Sequence, residues 1–319
     1  MKYVLMKVFF LGMIFFTTLP AQEIQKEIAV TFDDLPLSHA SMYNSADAKL
    51  LTEKIIGNIK LFEVHAVGFV NENKLYFEET ELLPERVDML KQWLDAGLEL
   101  GNHTFAHKSA NKVSLDEFEE DIVRGENTIK KLLVERNLPL RYFRHPFLHT
   151  GRTLGKRDSI NTFLTNRGYT IAPVTIDNSE WIYCVAYERA CKSGDSTLIK
   201  KVGEEYVEYM KSKIEYFEGR SLELFGRNIK HVLLVHANQI NADWFDDLCD
   251  TIIDMDYKFI TLEDALKDDA YKSSDTFTGA SGISWIDRWA LTAGKTKEFF
   301  QGEPRVPKHI LDLSGIDSE

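Results

Sequence analysis

What most constrains this chain is the recurrence of short β-rich runs separated by segments of helical spacing. The runs 28–32, 66–70, 98–101, 142–144, 169–174, 232–235 and 257–260 alternate with segments 46–63, 84–96, 114–136, 161–167, 198–217 and 242–255, whose apolar residues lie three and four apart. Strand, helix and strand in succession build a parallel sheet, so seven such strands predict an α/β chain curled into a barrel. Gly97 and Gly168 stand where helices stop, and Ser114 with Glu117 reads as a capping box opening a helix. About fifty-five residues separate the fifth run from the sixth, which signals an insertion. From Ala270 onward, Trp285 and Trp289 four apart predict a helical C-terminal extension packed on the barrel wall.

The N-terminus has a different character. Lys2 and Lys7 precede a short apolar run, 8–16, that leads to Thr17-Thr18-Leu19-Pro20-Ala21, the pattern of a secretory signal peptide. A spanning helix needs about 20 apolar residues, so the segment predicts export, to the periplasm or beyond, without a stable membrane anchor. The expected division is 1–21 signal peptide, 22–269 barrel and 270–319 extension. The formal charge of −12 argues against nucleic acid as a partner, because phosphate backbones need a basic surface. Cys184, Cys191 and Cys249 make an odd set. On a helix, Cys184 and Cys191 would sit about 10 Å apart along the axis, beyond disulfide reach, so three free and mostly buried thiols are expected.

Active-site groups of barrel folds gather at the C-terminal ends of the strands, and here the polar residues fall there. The first run ends in Asp33-Asp34, the third leads to Asn102-His103-Thr104-Phe105-Ala106-His107, and the fourth to Arg144-His145-Pro146-Phe147. The fifth is followed by Asp177-Asn178-Ser179-Glu180-Trp181 and the sixth by His236. His103 and His107, four apart, project from one face if a helix begins there, a spacing suited to chelating one metal ion. No Glu lies between them, so the base of a zinc-protease motif is absent. Asp33-Asp34 can supply a third ligand and a base, leaving a coordination position open for water.

These five segments, in this order, resemble the motifs of the polysaccharide deacetylases with the NodB-homology domain, carbohydrate esterase family 4. The resemblance runs from about Ile28 to Leu266. It implies a distorted, incomplete (β/α) barrel and metal-dependent hydrolysis of N-acetyl or O-acetyl groups on an oligo- or polysaccharide. Carried over, Asp34, His103 and His107 would hold the divalent metal, zinc first and cobalt or nickel as substitutes. Asp33 would be the general base, oriented by Arg144. The backbone N–H of Phe147 would help stabilise the oxyanion, His236 would protonate the leaving group, Glu180 would tune His236, and Trp181 would floor the acetyl pocket.

The chain departs from the family at three positions. Glu180 replaces the usual Asp, and its extra methylene displaces the carboxylate by about 1 Å. His145 stands for a common Pro and Phe147 for a common Tyr. His145 and His149 read as structural or substrate-contacting groups, and His39 as an exposed loop residue. Two other readings share the fold: a hydrolase of cyclic amides, and a glycan-binding protein without catalysis. An intact Asp33, Asp34, His103, His107 and His236 weighs against the last.

Overall fold

The computed structural model describes residues 25–319, so the expected signal segment lies outside the described residues. Every predicted run forms a strand. In chain order these are β1 (Lys26–Leu35), β2 (Val67–Val70), the small antiparallel hairpin β3 (Tyr76–Phe77) and β4 (Glu81–Leu82), β5 (Glu99–Asn102), β6 (Tyr142–Phe143), β7 (Thr170–Ile171), β8 (His231–His236) and β9 (Tyr257–Phe259). The hairpin carries no signal in the sequence pattern, because two-residue strands are too short to alternate. The other seven form one parallel sheet in the order β7-β6-β5-β2-β1-β8, with β9 also paired to β1. An isolated parallel bridge between Ile176 and Leu233 ties the chain beyond β7 to β8, so the sheet curls back on itself. The result is a distorted, incomplete (β/α) barrel. From Ile28 to Asp33, β1 is wholly buried. A parallel strand covered on both faces reads as continuous apolar sequence, and this one does until its acidic end.

The helices are α1 (Ser45–Leu61), α2 (Pro84–Asp95), α3 (Leu115–Arg124), α4 (Asn127–Val134), α5 (Leu154–Asn166), α6 (Glu180–Ser193), α7 (Ser196–Phe225), α8 (Gln239–Asp254), α9 (Leu262–Leu266), α10 (Trp285–Thr292) and α11 (Lys308–Ser314). The single helix expected over 114–136 is two, α3 and α4, broken at Gly125. There the chain passes against the loop after β5, and a Cβ at 125 would meet Asn102 Oδ1 and the Thr104 carbonyl carbon at 2.7 Å. Ser114 does cap α3, accepting from the Glu117 N–H at 3.2 Å. The inserted segment is the pair α6 and α7. Asp195 caps α7 through the amides of Thr197 and Leu198, and Gly226, at φ 71°, stops it. Val202, Tyr206, Met210, Ile214 and Phe217 form its buried stripe. Helix α10 buries Trp285 and Trp289 in the core cluster, as its four-residue spacing predicts. Among the described residues no helix is long and apolar enough to cross a membrane, and all three cysteines are free.

Candidate active site

Asp33, Asp34, His103, His107, Phe147, Trp181 and His236 line one cleft of about 680 Å³ at the C-terminal ends of the strands, with Arg144 and Glu180 fully buried behind it. Asp33 and Asp34 end β1, and His236 ends β8 in register with Asp33. His103 and His107 follow β5 but lie on a loop, not on a helix. The backbone folds twice through the left-handed region there, at Thr104 (φ 67°) and His107 (φ 53°), and this brings both imidazoles to one side. Buried polar groups hold the loop: Asn71 Nδ2 donates to the His103 carbonyl at 2.6 Å, and the Phe105 amide donates to the Asp121 carbonyl at 3.0 Å. Asp34 (φ 70°) and Phe147 (φ 56°) share the left-handed conformation. Leu148 (φ 54°) does too, and these left-handed non-glycine residues at and beside one cleft are the clustering expected where surroundings force a functional geometry.

Asp34, His103 and His107 form the group best suited to a cation. One donor atom from each lies within 4.8 Å of the others. Asp34 Oδ1 is buried with no hydrogen-bond partner, and it faces His103 Nε2 at 3.9 Å and His107 Nε2 at 3.7 Å. His103 Nδ1 donates to the Arg144 carbonyl at 2.8 Å, which leaves Nε2 as the lone-pair nitrogen turned toward Asp34. Burial pushes both imidazoles down, His103 to about 4 and His107 to about 3, against the opposing pull of Asp34, so both are neutral and able to ligate. Burial works against charge on Asp34 too. The Lys74 ammonium, 3.1 Å away, and the His236 imidazolium oppose it, and the carboxyl is held well below the usual range. An orphaned carboxylate oxygen beside two lone-pair nitrogens fits a divalent metal.

Asp33 is bound differently. It is buried, and Arg144 Nη1 donates to both its oxygens at 3.1 and 3.2 Å. The guanidinium is itself fully enclosed, giving its other N–H groups to the Ala172 carbonyl and Thr31 Oγ1. Burial raises the Asp33 carboxyl, with the Arg144 charge opposing it. On the adjoining strand, His236 Nδ1 bonds Glu180 Oε2 at 2.8 Å. Glu180 reaches His236 despite standing where the family has Asp, because it opens α6 and is locked by donors from Asn238 and Asn241. Burial alone would lower the His236 pKa; Glu180, Asp34 and Asp33 outweigh it and push it up to about 9.

The remaining predicted residues line the rim. Phe147 and Trp181 are 53% and 43% exposed, and the Phe147 ring lies against His107 at a 57° tilt with centroids 4.3 Å apart. His149 also lines the cleft, bonded to Ser109 Oγ at 2.8 Å. His145 does not: it is packed between Phe118 and Phe143, as a structural reading expects. His39, expected to be exposed, is instead half-buried and paired with Glu188 at 2.9 Å. Sequence reasoning missed Lys74, Asn71, Asn238 and Asn241. Only the nearness of Asn238 and Asn241 to His236 in the chain offered any signal. It also missed that Ala280, Ser281 and Gly282, in the C-terminal extension, line the cleft beside Phe147.

Residues 21–161 match the family model for polysaccharide deacetylase. A stretch of 155 residues is 26% identical to the peptidoglycan-N-acetylglucosamine deacetylase of Bacillus cereus, covering 49% of this chain and 46% of that one. The chain thus spans about half the length of that relative. Among solved structures, a mutant of a CE4 family pseudoenzyme from Bacillus anthracis superposes with a TM-score of 0.51 at 15% identity, over 76% of this chain and 68% of the other. A family 4 acetyl xylan esterase from Clostridium thermocellum, solved with cobalt, gives 0.48 at 18% identity over 76% and 90%. Residues 21–161 are thus similar to the polysaccharide deacetylase family.

Proposed function

We propose that this protein is an exported, metal-dependent deacetylase that removes N-acetyl groups from an N-acetylglucosamine-containing glycan. One observation carries the reading: the buried Asp33 carboxylate and His236, bonded to Glu180, stand in register on adjoining strands in the same cleft as the Asp34, His103 and His107 donors. The N-acetyl preference follows the Bacillus cereus relative, which is named for that bond. In this reading residues 1–21 are the export signal, 22–269 the catalytic barrel and 270–319 an extension that completes the cleft.

Asp34, His103 and His107 would hold the metal, zinc by the character of its donors. When bound, such an ion lowers the pKa of water toward about 7 and polarises the acyl carbonyl. Asp33, oriented by Arg144, takes the proton of the attacking water. The Phe147 N–H donates to the carbonyl oxygen as negative charge builds on it. His236 carries a proton on the nitrogen turned away from Glu180 and gives it to the departing sugar nitrogen, so that acetate and a free amine leave. Trp181 and Leu234 wall the space for the acetyl methyl.

The test is acetate release by metal-stripped protein, resupplied with zinc or cobalt, from chitin oligomers, peptidoglycan, acetyl-xylan and a small acetyl ester. Metal-restored acetate from the first two is the expected result. Acetate from the esters alone moves the reaction to O-acetyl groups. Metal binding without acetate from any of them leaves the glycan-binding or cyclic-amide reading in its place.

A further inference from the structure

A second group of metal-ligating side chains borders the same cleft. Cys184 and Glu188 lie one turn apart on α6 and present Sγ and a carboxylate on one face. His39, on the loop that follows β1, meets them from the opposite side. Its Nδ1 is 2.9 Å from Glu188 Oε1, Cys184 Sγ is 3.6 Å from the same oxygen, and all three donors lie within 4.8 Å of one another. Zinc at about 2.3 Å from sulfur and about 2.1 Å from nitrogen and oxygen sets tetrahedral donors about 3.3–3.6 Å apart, so the sulfur and carboxylate already stand at that spacing and the imidazole need move only a few tenths of an ångström away from the carboxylate. Tyr43 Oη donates to Glu188 Oε1 at 2.6 Å, the hydrogen bond from a neighbour that fixes a ligating carboxylate. Cys184 and Glu188 are buried, whereas His39 is partly exposed, and both His39 and Cys184 line the cleft, which gives an ion a way in.

We infer that His39, Cys184 and Glu188 form a second transition-metal site, separate from Asp34, His103 and His107 and selective for zinc-like ions through its thiolate. Binding there releases the thiol proton of Cys184, leaves His39 as the neutral tautomer protonated on Nε2, and replaces the His39–Glu188 hydrogen bond with two metal–ligand bonds. The ion fastens the loop after Asp33-Asp34 to the helix that begins with Glu180 and Trp181, so it braces one wall of the cleft and reacts with nothing.

Cobalt distinguishes the two sites, because only the second contains sulfur. Metal-free protein titrated with Co2+ is expected to develop a thiolate-to-cobalt charge-transfer band in the near ultraviolet and to bind one ion more than Cys184→Ser, which lacks the band. Glu188→Gln and His39→Ala should weaken Co2+ binding at this site at least tenfold. Cys191→Ala and Cys249→Ala should keep the band, as should His107→Ala, whose cation site is the other one. A wild-type protein with no such band, or a band that survives Cys184→Ser, overturns the assignment. Because the band does not depend on the first site, its presence in a protein without deacetylase activity would refute the proposed function and leave this site standing.

Discussion

Two ionisable groups face one another in the cleft with opposite tasks, and their surroundings separate them. Asp33 is held as a proton acceptor by Arg144, so Asp33→Asn should retain metal while acetate release falls about 10²–10⁴-fold, read by turnover alongside metal content. Undiminished turnover would remove Asp33 from the mechanism. Burial would lower the His236 pKa, but Glu180 foremost, with Asp34 and Asp33, pushes it up to about 9. Glu180→Gln preserves the shape but removes the charge. The imidazolium then loses its proton at lower pH, and the alkaline limb of the kcat/KM profile should move toward neutrality. An unmoved limb would mean that Glu180 does not set the acid. At this scale Asp33, Asp34, His103, His107, Arg144, Glu180 and His236 were all legible, because strand ends and motif order point to them. Lys74 was not, since a lysine just past a strand resembles any surface lysine until Asp34 is found 3.1 Å from it.

Glycines divide the elements into those that need space and those that merely lack a side chain. Gly282 passes so close to the 146–148 turn that a Cβ would overlap the Phe147 carbonyl oxygen at 1.8 Å. Gly282→Ala must therefore shift the turn that carries the Phe147 N–H. Misplacement by about 1 Å is enough for a loss of kcat/KM near 10²-fold, with the fold intact by circular dichroism. Wild-type kinetics in that variant would show that the turn does not position the substrate carbonyl. Gly57, exposed inside α1, would meet nothing within 4 Å. Gly57→Ala should raise stability by about 0.5–1 kcal/mol in urea unfolding and leave kinetics unchanged, which separates loop strain from helix propensity. Periodicity located α1, α2 and α8 to within a few residues. It failed at 114–136, where the reason for the break is a contact with a loop distant in sequence. It failed again at 103–107, where left-handed residues do the work that a helix was expected to do.

At the scale of the whole molecule, alternation of strand and helix announced a barrel, but nothing local announced what completes it. The Gly-Ala-Ser-Gly stretch 279–282 has no period and only small side chains, so its place in the cleft follows from where α10 docks. Arg288 secures that docking. Its guanidinium is buried, bonds Asp275 at 2.7 and 2.9 Å and Thr150 Oγ1 at 2.7 Å, and points to the Leu148 carbonyl, joining the C-terminal region to the loop that carries Phe147. Removing one partner of a buried ion pair leaves the other charge without compensation, at a cost of about 3–5 kcal/mol. Asp275 is partly reached by solvent, which places Arg288→Leu at the lower end of that range. Urea unfolding should show the loss as a lower midpoint with an unchanged slope, and kcat/KM should fall as well because the Phe147 turn loses its support. Arg288→Lys should not restore either property, since an ammonium cannot span Asp275, Thr150 and Leu148 together. If Arg288→Leu unfolds within about 0.5 kcal/mol of the wild type, the extension is a passenger on the barrel and the cleft is complete without it.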